Sequence, residues 1–341
     1  MSFDPRNILV IDFGQLGDVV LSLPALHAIR TKFPKARITV VVGRPGEPVV
    51  QMSGEADATL AVDRVALRDG PKPMSLLRIA QFVKEVRRAG FDFVIDLHSL
   101  SETNLLGYLS GAPMRLYGRR PGRSLDFLSN FRPRPPVEDQ TKHAVERYLQ
   151  VLAPLNVPIV SNVPRLRTLT EDHRAIEQML KKERVPEDAP LVGLFPGAGH
   201  PGRRWPLARF SELAQRLERN DGVRTLLFAG PEEQALVREM RATFSPSTVI
   251  FDRLTIPQLA AALARLAVFV ANDTGPMHLA AAVGTPVVML LDRPTPNSFV
   301  PLEDRHRVVY GRTVSDIPTD EVYDATRAAL TRERMASLFT N

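Results

Sequence analysis

Short apolar runs alternate with helix-spaced stretches along most of this chain. Asn7–Asp12 (NILVID), Arg37–Val42 (RITVVV) and Phe91–Leu97 (FDFVIDL) are almost continuously apolar, the pattern of strands buried on both faces of a parallel sheet. Between them, residues 18–33 and 75–89 place apolar side chains at helical spacing, with Pro24 positioned to bend the first helix. Leu60–Val62 predicts a short strand, and a helix is expected around 101–111. Residues 114–136, rich in arginine and proline, read as an irregular, mobile loop, and 141–155 as a helix.

Periodicity lapses over 156–169, where prolines recur from Pro154 to Pro164, and an interdomain linker is placed there. Alternation then resumes. Helices are predicted over 171–183, 207–219, 232–243, 256–266 and 320–338, and strands over 190–195, 225–229 and 249–251. The stretch Ala271–Leu291, ANDTGPMHLAAAVGTPVVMLL, sharpens the pattern. An apolar strand (266–270) runs into the polar turn Asn272-Asp273-Thr274-Gly275-Pro276. A small-residue helix (277–283) follows, Gly284 and Thr285-Pro286 stop it, and a second strand (287–291) closes the unit. Two successive sets of βα units predict an α/β protein of two doubly wound domains, 1–165 and 166–341, facing a cleft. The C-terminal helix is a candidate to pack back on the first domain.

Composition narrows the chemistry. Hydrophobic content of 44% and charged content of 24% are ordinary for a globular protein. Cysteine is absent, which removes disulfides, thiolate metal sites and cysteine nucleophiles, and agrees with a reducing, cytoplasmic setting. The N-terminus lacks a basic region followed by an apolar one, and no segment approaches the ~18 apolar residues of a membrane span. The net charge is +6, and arginine clusters at Arg115, Arg119, Arg120, Arg123, Arg132 and Arg134. That cluster suits solvated loops, a phosphorylated substrate or an anionic membrane face. Nucleic acid is not expected as a partner, because no recognition motif accompanies the arginines.

Four loops at predicted strand ends hold the candidate chemistry, where open α/β sheets bind ligands. Phe13-Gly14-Gln15-Leu16-Gly17-Asp18 lacks the dinucleotide fingerprint, which counts against a nicotinamide dehydrogenase. Asp18 there is either an N-cap or a general base, and a helix N-terminus is expected to hold its pKa low. Phe195–Pro206 (FPGAGHPGRRWP) pairs a glycine-rich loop with Arg203 and Arg204, a match for phosphate oxygens, or is a surface turn anchored by Trp205. Glu232, in FAGPEE, could accept hydrogen bonds from ribose hydroxyls or simply favour a helix start. Asp273, Thr274 and Gly275 form a turn where a helix exposes N–H groups, a grip for a diphosphate, although Asp273 could simply cap the helix; His278, one turn on, is either a ligand contact or a satisfied, buried histidine. No metal-ligand spacing and no cofactor motif is found, so positive charge for a diphosphate is expected from the arginines and helix termini.

These loops together resemble glycosyltransferase family 9, the ADP-heptose:lipopolysaccharide heptosyltransferases. The resemblance rests on ILVIDFGQLGDVVLSLPAL at 8–26, FDFVIDLHSL at 91–100, FPGAGHPGRRWP at 195–206, FAGPEE at 228–233 and NDTGPMHLAAAVGTPVVML at 272–290. It implies a GT-B fold, an N-terminal acceptor domain, a C-terminal nucleotide-sugar domain, and inverting transfer without a metal. The family's catalytic aspartate falls on Asp18, and its K-x-W-P lysine falls on Arg203, so a point charge is replaced by a planar fork. Its donor-binding D-T-G-x-x-H pattern falls on Asp273, Thr274, Gly275 and His278, and its ribose acid near Glu232. The acceptor side is assigned Gly17, His98, Arg119 and Arg120, with His98-Ser99 standing where many members have Gln-Gly. The partners implied are an ADP-heptose donor, a glycolipid acceptor and an inner-membrane surface on which a cytoplasmic enzyme sits peripherally. Two other readings stay open: a GT-B nucleotide-sugar epimerase or hydrolase, and a non-catalytic nucleotide-sugar-binding protein.

Overall fold

The apolar runs become parallel strands. The structure, a computed structural model, describes residues 3–63, 72–122, 124–158, 161–293 and 297–338, so Arg123 of the arginine cluster lies outside the described residues. The chain divides into two units between Pro164 and Arg165.

The first unit runs β1 (Asn7–Asp12), α1 (Leu16–Lys32), β2 (Arg37–Gly43), α2 (Glu47–Ser53), β3 (Ala58–Val62), α3 (Lys72–Arg88), β4 (Phe93–Asp96), α4 (Ser101–Leu109), β5 (Met114–Tyr117) and α5 (Ala144–Val151). Its strands lie in the order β3-β2-β1-β4-β5, every pair parallel. The strand order turns back at β1, which lies between β2 and β4. The carboxyl ends of β1 and β4 are side by side, with Ile11 opposite Asp96. This is a topological switch point, where the loops leaving two adjacent strands part to opposite faces and leave a crevice.

The second unit runs α6 (Thr170–Lys182), β6 (Leu191–Phe195), α7 (Leu207–Asp221), β7 (Arg224–Phe228), α8 (Gln234–Thr243), β8 (Val249–Phe251), α9 (Ile256–Leu263), β9 (Val268–Asn272), α10 (Gly275–Ala282), β10 (Val287–Asp292), β11 (Arg307–Gly311) and α11 (Thr319–Leu338). The order β11-β10-β9-β6-β7-β8 is again all parallel, and its switch point lies between β6 and β9. Val192 and Leu194 of β6, Val268 and Val270 of β9, and Trp205 share one buried core, onto which α11 packs beside α7.

Several expectations need correction. The stretch 114–136 is not irregular throughout. It begins with β5 and carries a 3-10 turn, Asp126–Leu128, and the Phe131 N–H donates to the Arg115 carbonyl at 3.0 Å. The helix expected over 141–155 is shorter, because His143 caps α5 through Nδ1, which accepts the Val145 N–H, and Ala153–Leu155 forms a separate 3-10 turn. Helix α1 begins before Asp18, with Gln15 as its N-cap, and continues through Pro24. The edge strands β5 (MRLY) and β11 (RVVYG) and the helix α2 escape the sequence pattern. Edge strands need be apolar on one face only, and these include arginine. Among the described residues, no helix is long and apolar enough to cross a membrane.

Candidate functional site

Strands β1 and β4 each end in a buried aspartate, Asp12 and Asp96. Asp12 Oδ1 accepts the Gly14 N–H at 2.9 Å, which tightens the turn into α1. Asp18 is the third residue of α1, and its Oδ2 accepts the Gln15 N–H at 2.9 Å. Gly17, beside it, is buried in the first helical turn. A helix N-terminus alone would depress the Asp18 pKa, but here the direction is reversed. Burial pushes the carboxyl above its usual range, and the charge on Asp12 adds to that. The Gln15 N–H, His98 and Arg120 oppose the rise without overcoming it. Desolvation of the carboxylate outweighs the helix dipole here, and the result is a stronger base than an exposed aspartate would be.

His98 follows β4, is buried, and brings Nδ1 to 3.7 Å from Asp12 Oδ1. Its neighbour Ser99 adopts the left-handed region with φ of 53°, a conformation that favours glycine. Three hydrogen bonds hold it there. The Ser99 N–H donates to Asp96 Oδ1 at 2.7 Å, its hydroxyl donates to the Asp96 carbonyl at 2.6 Å, and that hydroxyl accepts the Gly118 N–H at 2.7 Å. Asn104 of α4 donates to Asp96 Oδ2 at 2.7 Å. Burial pushes the Asp96 carboxyl up to about 7, against the lowering effect of these donors.

The arginine cluster is largely engaged within the unit. Arg120 grips Glu138 through Nε and Nη2, at 2.8 and 3.2 Å, and Arg147 shares the same carboxylate. Arg119 and Arg134 both approach Asp126, at 3.6 and 3.9 Å. Arg115 and Arg132 donate to backbone carbonyls, Arg115 to Ala112 and Leu128 and Arg132 to Phe131. Arg120 also acts electrostatically on Asp18, so it belongs to the surroundings of that carboxyl.

In the second unit, the loops leaving β6 and β9 meet at the switch point. Asn272, fully buried at the end of β9, ties them together. Its amide donates to the Pro196 and Gly197 carbonyls at 3.1 and 3.0 Å, and its Oδ1 accepts the Trp205 N–H at 3.1 Å. Trp205 is buried edge-on against Phe210, and its indole N–H donates to the Ile317 carbonyl at 2.9 Å. This anchor holds Arg203, two residues earlier, with Nη1 3.9 Å from Asp273 Oδ2. Asp273 Oδ1 in turn lies 3.8 Å from His278 Nε2. Thr274 is the N-cap of α10, extended and without a side-chain cap, and its carbonyl accepts the Met277 N–H at 3.2 Å. Pro276 has no N–H, so it is the Gly275 N–H that is left without a partner inside the helix in this first turn. Arg204 turns away and donates to the Ala198 carbonyl at 3.2 Å. Glu232 is exposed. Glu233 beside it is buried, accepts the Gly230 N–H at 2.9 Å and lies against Gly197, where an added Cβ would stand 2.6 Å from its Cγ. Burial raises the Glu233 pKa, with the Gly230 N–H working against the rise. Among the described residues, no group of three or more His, Cys, Asp and Glu side chains is placed to hold a metal ion.

The arrangement is thus a buried-carboxylate turn in one unit and, in the other, an arginine beside a helix N-terminus. The sequence matches the model of Glycosyltransferase family 9 (heptosyltransferase) over residues 79–325. The chain belongs to glycosyltransferase family 9. It is 25% identical over 323 residues to lipopolysaccharide heptosyltransferase 2 of Salmonella typhimurium, covering 89% of this chain and 87% of that one. Its fold is similar to that of a family 9 glycosyltransferase from Veillonella parvula, with a TM-score of 0.85 at 24% identity, over 97% of this chain and 99% of the other. It also resembles an E. coli heptosyltransferase solved with ADP-2-deoxy-2-fluoro heptose, with a TM-score of 0.71 at 21% identity, over 94% and 98% of the two chains. The two doubly wound domains are those of a GT-B glycosyltransferase.

For this family 9 member, sequence reasoning missed the residues that brace the candidates. Asp12, Asp96 and Asn272 each close an otherwise apolar strand, and a polar residue in that position is the signal that marks them. Glu138 carries no such mark.

Proposed function

We propose that the protein transfers a heptose from ADP-heptose to a lipopolysaccharide-core or related glycolipid acceptor, with inversion at the anomeric carbon and without a metal. The supporting observation is the grouping of Arg203, Asp273 and the α10 N-terminus at the switch point of the second unit. A guanidinium beside the positive end of a helix, with the Gly275 N–H, offers the charge stabilisation that a departing diphosphate requires. The names of the relatives supply the sugar, the nucleotide and the acceptor class.

In this reading Asp18 takes the proton of an acceptor hydroxyl as its oxygen bonds to the anomeric carbon. The bond from that carbon to the diphosphate oxygen breaks on the opposite face, and its electron pair leaves with ADP. Arg203, Thr274 and Gly275 stabilise the charge that develops on the leaving group. Asp273 holds Arg203 beside the helix terminus, with His278 on its other side. Arg204 shapes the glycine-rich loop through Ala198. Glu233 is committed to Gly230, which leaves exposed Glu232 to contact the ribose. Gly17, His98, Arg119 and Arg120 form the acceptor side, and a glycolipid acceptor places the cytoplasmic enzyme at a membrane surface.

Asp18→Asn tests the base. ADP-heptose should bind the variant as it binds the wild type in calorimetry, while transfer falls roughly 10²–10⁴-fold. Wild-type transfer should decline as pH is lowered through the raised Asp18 pKa, and that limb should vanish in the variant. Near-normal turnover in Asp18→Asn defeats the assignment.

A further inference from the structure

Apolar side chains are exposed in an uneven way. Met74, Leu76, Leu77 and Ile79, within the first two turns of α3, are 49, 67, 54 and 42% exposed. Helix α3 is seated on its unit mainly by its later half, where Phe82, Val83 and Val86 join the core. Its first turns stand clear, and of Met74–Gln81 only Ser75 is buried. The neighbouring α4, in contact with α3, also exposes apolar side chains, Leu105 and Tyr108, 45 and 48% exposed. The 3-10 turn that packs against α4 adds Phe127, 67% exposed. These three contacting elements carry most of the large apolar side chains that are exposed among the described residues. A soluble surface seldom gathers so much apolar area in one place unless it meets a partner.

The charge around the patch identifies that partner. Lys72–Arg88 contains five basic residues and one acid, and Arg78, Lys84, Arg87 and Arg88 are all exposed. Arg115 lies over the Tyr108 ring at 5.4 Å, which keeps a cation at the patch edge. Exposed leucine, isoleucine, methionine and aromatic groups within a basic surround match the acyl–headgroup boundary of an anionic bilayer. Apolar side chains enter the lipid and guanidinium or ammonium groups meet phosphate. A protein partner of this shape would need acidic groups around an apolar groove, and a second copy of this chain presents the same basic charge and would repel it.

We propose that the exposed face built by α3, α4 and the Asp126–Leu128 turn is the surface through which the protein docks on an anionic lipid bilayer. The docking is interfacial. It gives a molecular surface to the membrane placement in the proposed function, and it rests on that reading only for the acceptor being a glycolipid.

The test uses the full chain with vesicles and with neither donor nor acceptor. Wild-type protein should co-sediment with phosphatidylethanolamine–phosphatidylglycerol vesicles and bind pure phosphatidylcholine vesicles on the order of tenfold more weakly. Leu76→Ser with Leu77→Ser should weaken binding to the anionic vesicles by about tenfold or more, because both side chains leave the acyl boundary. Arg87→Gln with Arg88→Gln should abolish most of the preference for anionic lipid. Both double variants should keep the wild-type melting temperature and transfer to a water-soluble, lipid-free acceptor, so a failed docking surface and a failed transferase reading give different results. Absence of vesicle binding, or binding untouched by the leucine substitutions, overturns the proposal. So does a concentration-dependent dimer in sedimentation velocity that the leucine substitutions dissolve, which makes the face a contact between copies.

Discussion

Gly14 leaves no room for a side chain. A Cβ there would collide with the Cβ of Asp18 and stand 3.0 Å from Asp12 Oδ1, so the turn that carries Asp18 tolerates only hydrogen at this position. Gly14→Ala should displace Asp18 while leaving the loops of the second unit alone. Transfer should fall by roughly two orders of magnitude with donor affinity unchanged, and stability should drop by about 1–3 kcal/mol. Single-turnover kinetics with calorimetric donor binding separates the two effects. This candidate was legible in the sequence because Gly14, Gly17 and Asp18 stand directly after an apolar strand. The pKa direction was not legible, since it depends on burial and on Asp12, and neither is visible in spacing. Ser99 shows the same limit. Its departure from glycine is plain in the sequence, but the three hydrogen bonds that hold its left-handed backbone come from Asp96 and Gly118.

At the scale of elements, the strand ends do the positioning. Asn272 links β9 to the glycine-rich loop across 67–76 residues of chain, so no local pattern predicts the bond. Asn272→Ala leaves the Pro196 and Gly197 carbonyls and the Trp205 N–H without their partner. At about 1–3 kcal/mol for each buried group left unsatisfied, the second unit should lose at least ~2 kcal/mol. With its brace gone, the loop bearing Arg203 should bind ADP measurably more weakly. Denaturant unfolding and an ADP titration of the same variant read both losses, and unchanged affinity would show that Trp205 alone holds the loop. The central strands β1, β4, β6 and β9 were legible because burial on both faces demands continuous apolar sequence. Strands β5 and β11 were not, because an edge strand is under no such demand. The Arg120–Glu138 pair went unseen because its members lie 18 residues apart, on opposite sides of a stretch that reads as a loop.

For the whole molecule, two buried groups, one in each unit, should make stability respond to pH in opposite ways. In the first, burial holds the Asp96 carboxyl at about 7, above its ordinary 3.8. The folded unit therefore binds a proton that the unfolded chain releases, and this contribution is full below about pH 4 and lost as pH rises through 7. In the second, burial lowers His306 from 6.5 to about 4. Its contribution is present above 6.5 and lost as pH falls through 4. Each group can tilt stability by roughly 1 kcal/mol per pH unit within its window. Amide hydrogen exchange at pH 5 and 7, corrected for intrinsic rates, should show Asp96→Asn flattening the response of the first unit and His306→Gln that of the second. Identical slopes in wild type and variants would place the pH response elsewhere.

Because every strand in a sheet points the same way, the candidate site residues of each unit all follow the carboxyl ends of its strands. The chain also contains no cysteine. A thiol introduced at exposed Lys35, just before β2, or at exposed Glu187, just before β6, would be the sole reactive sulfur in its unit and lie at the end of its own sheet opposite the switch-point loops. A pair of dyes attached at these two positions would serve as a ruler between the units during turnover, built without altering a candidate site residue.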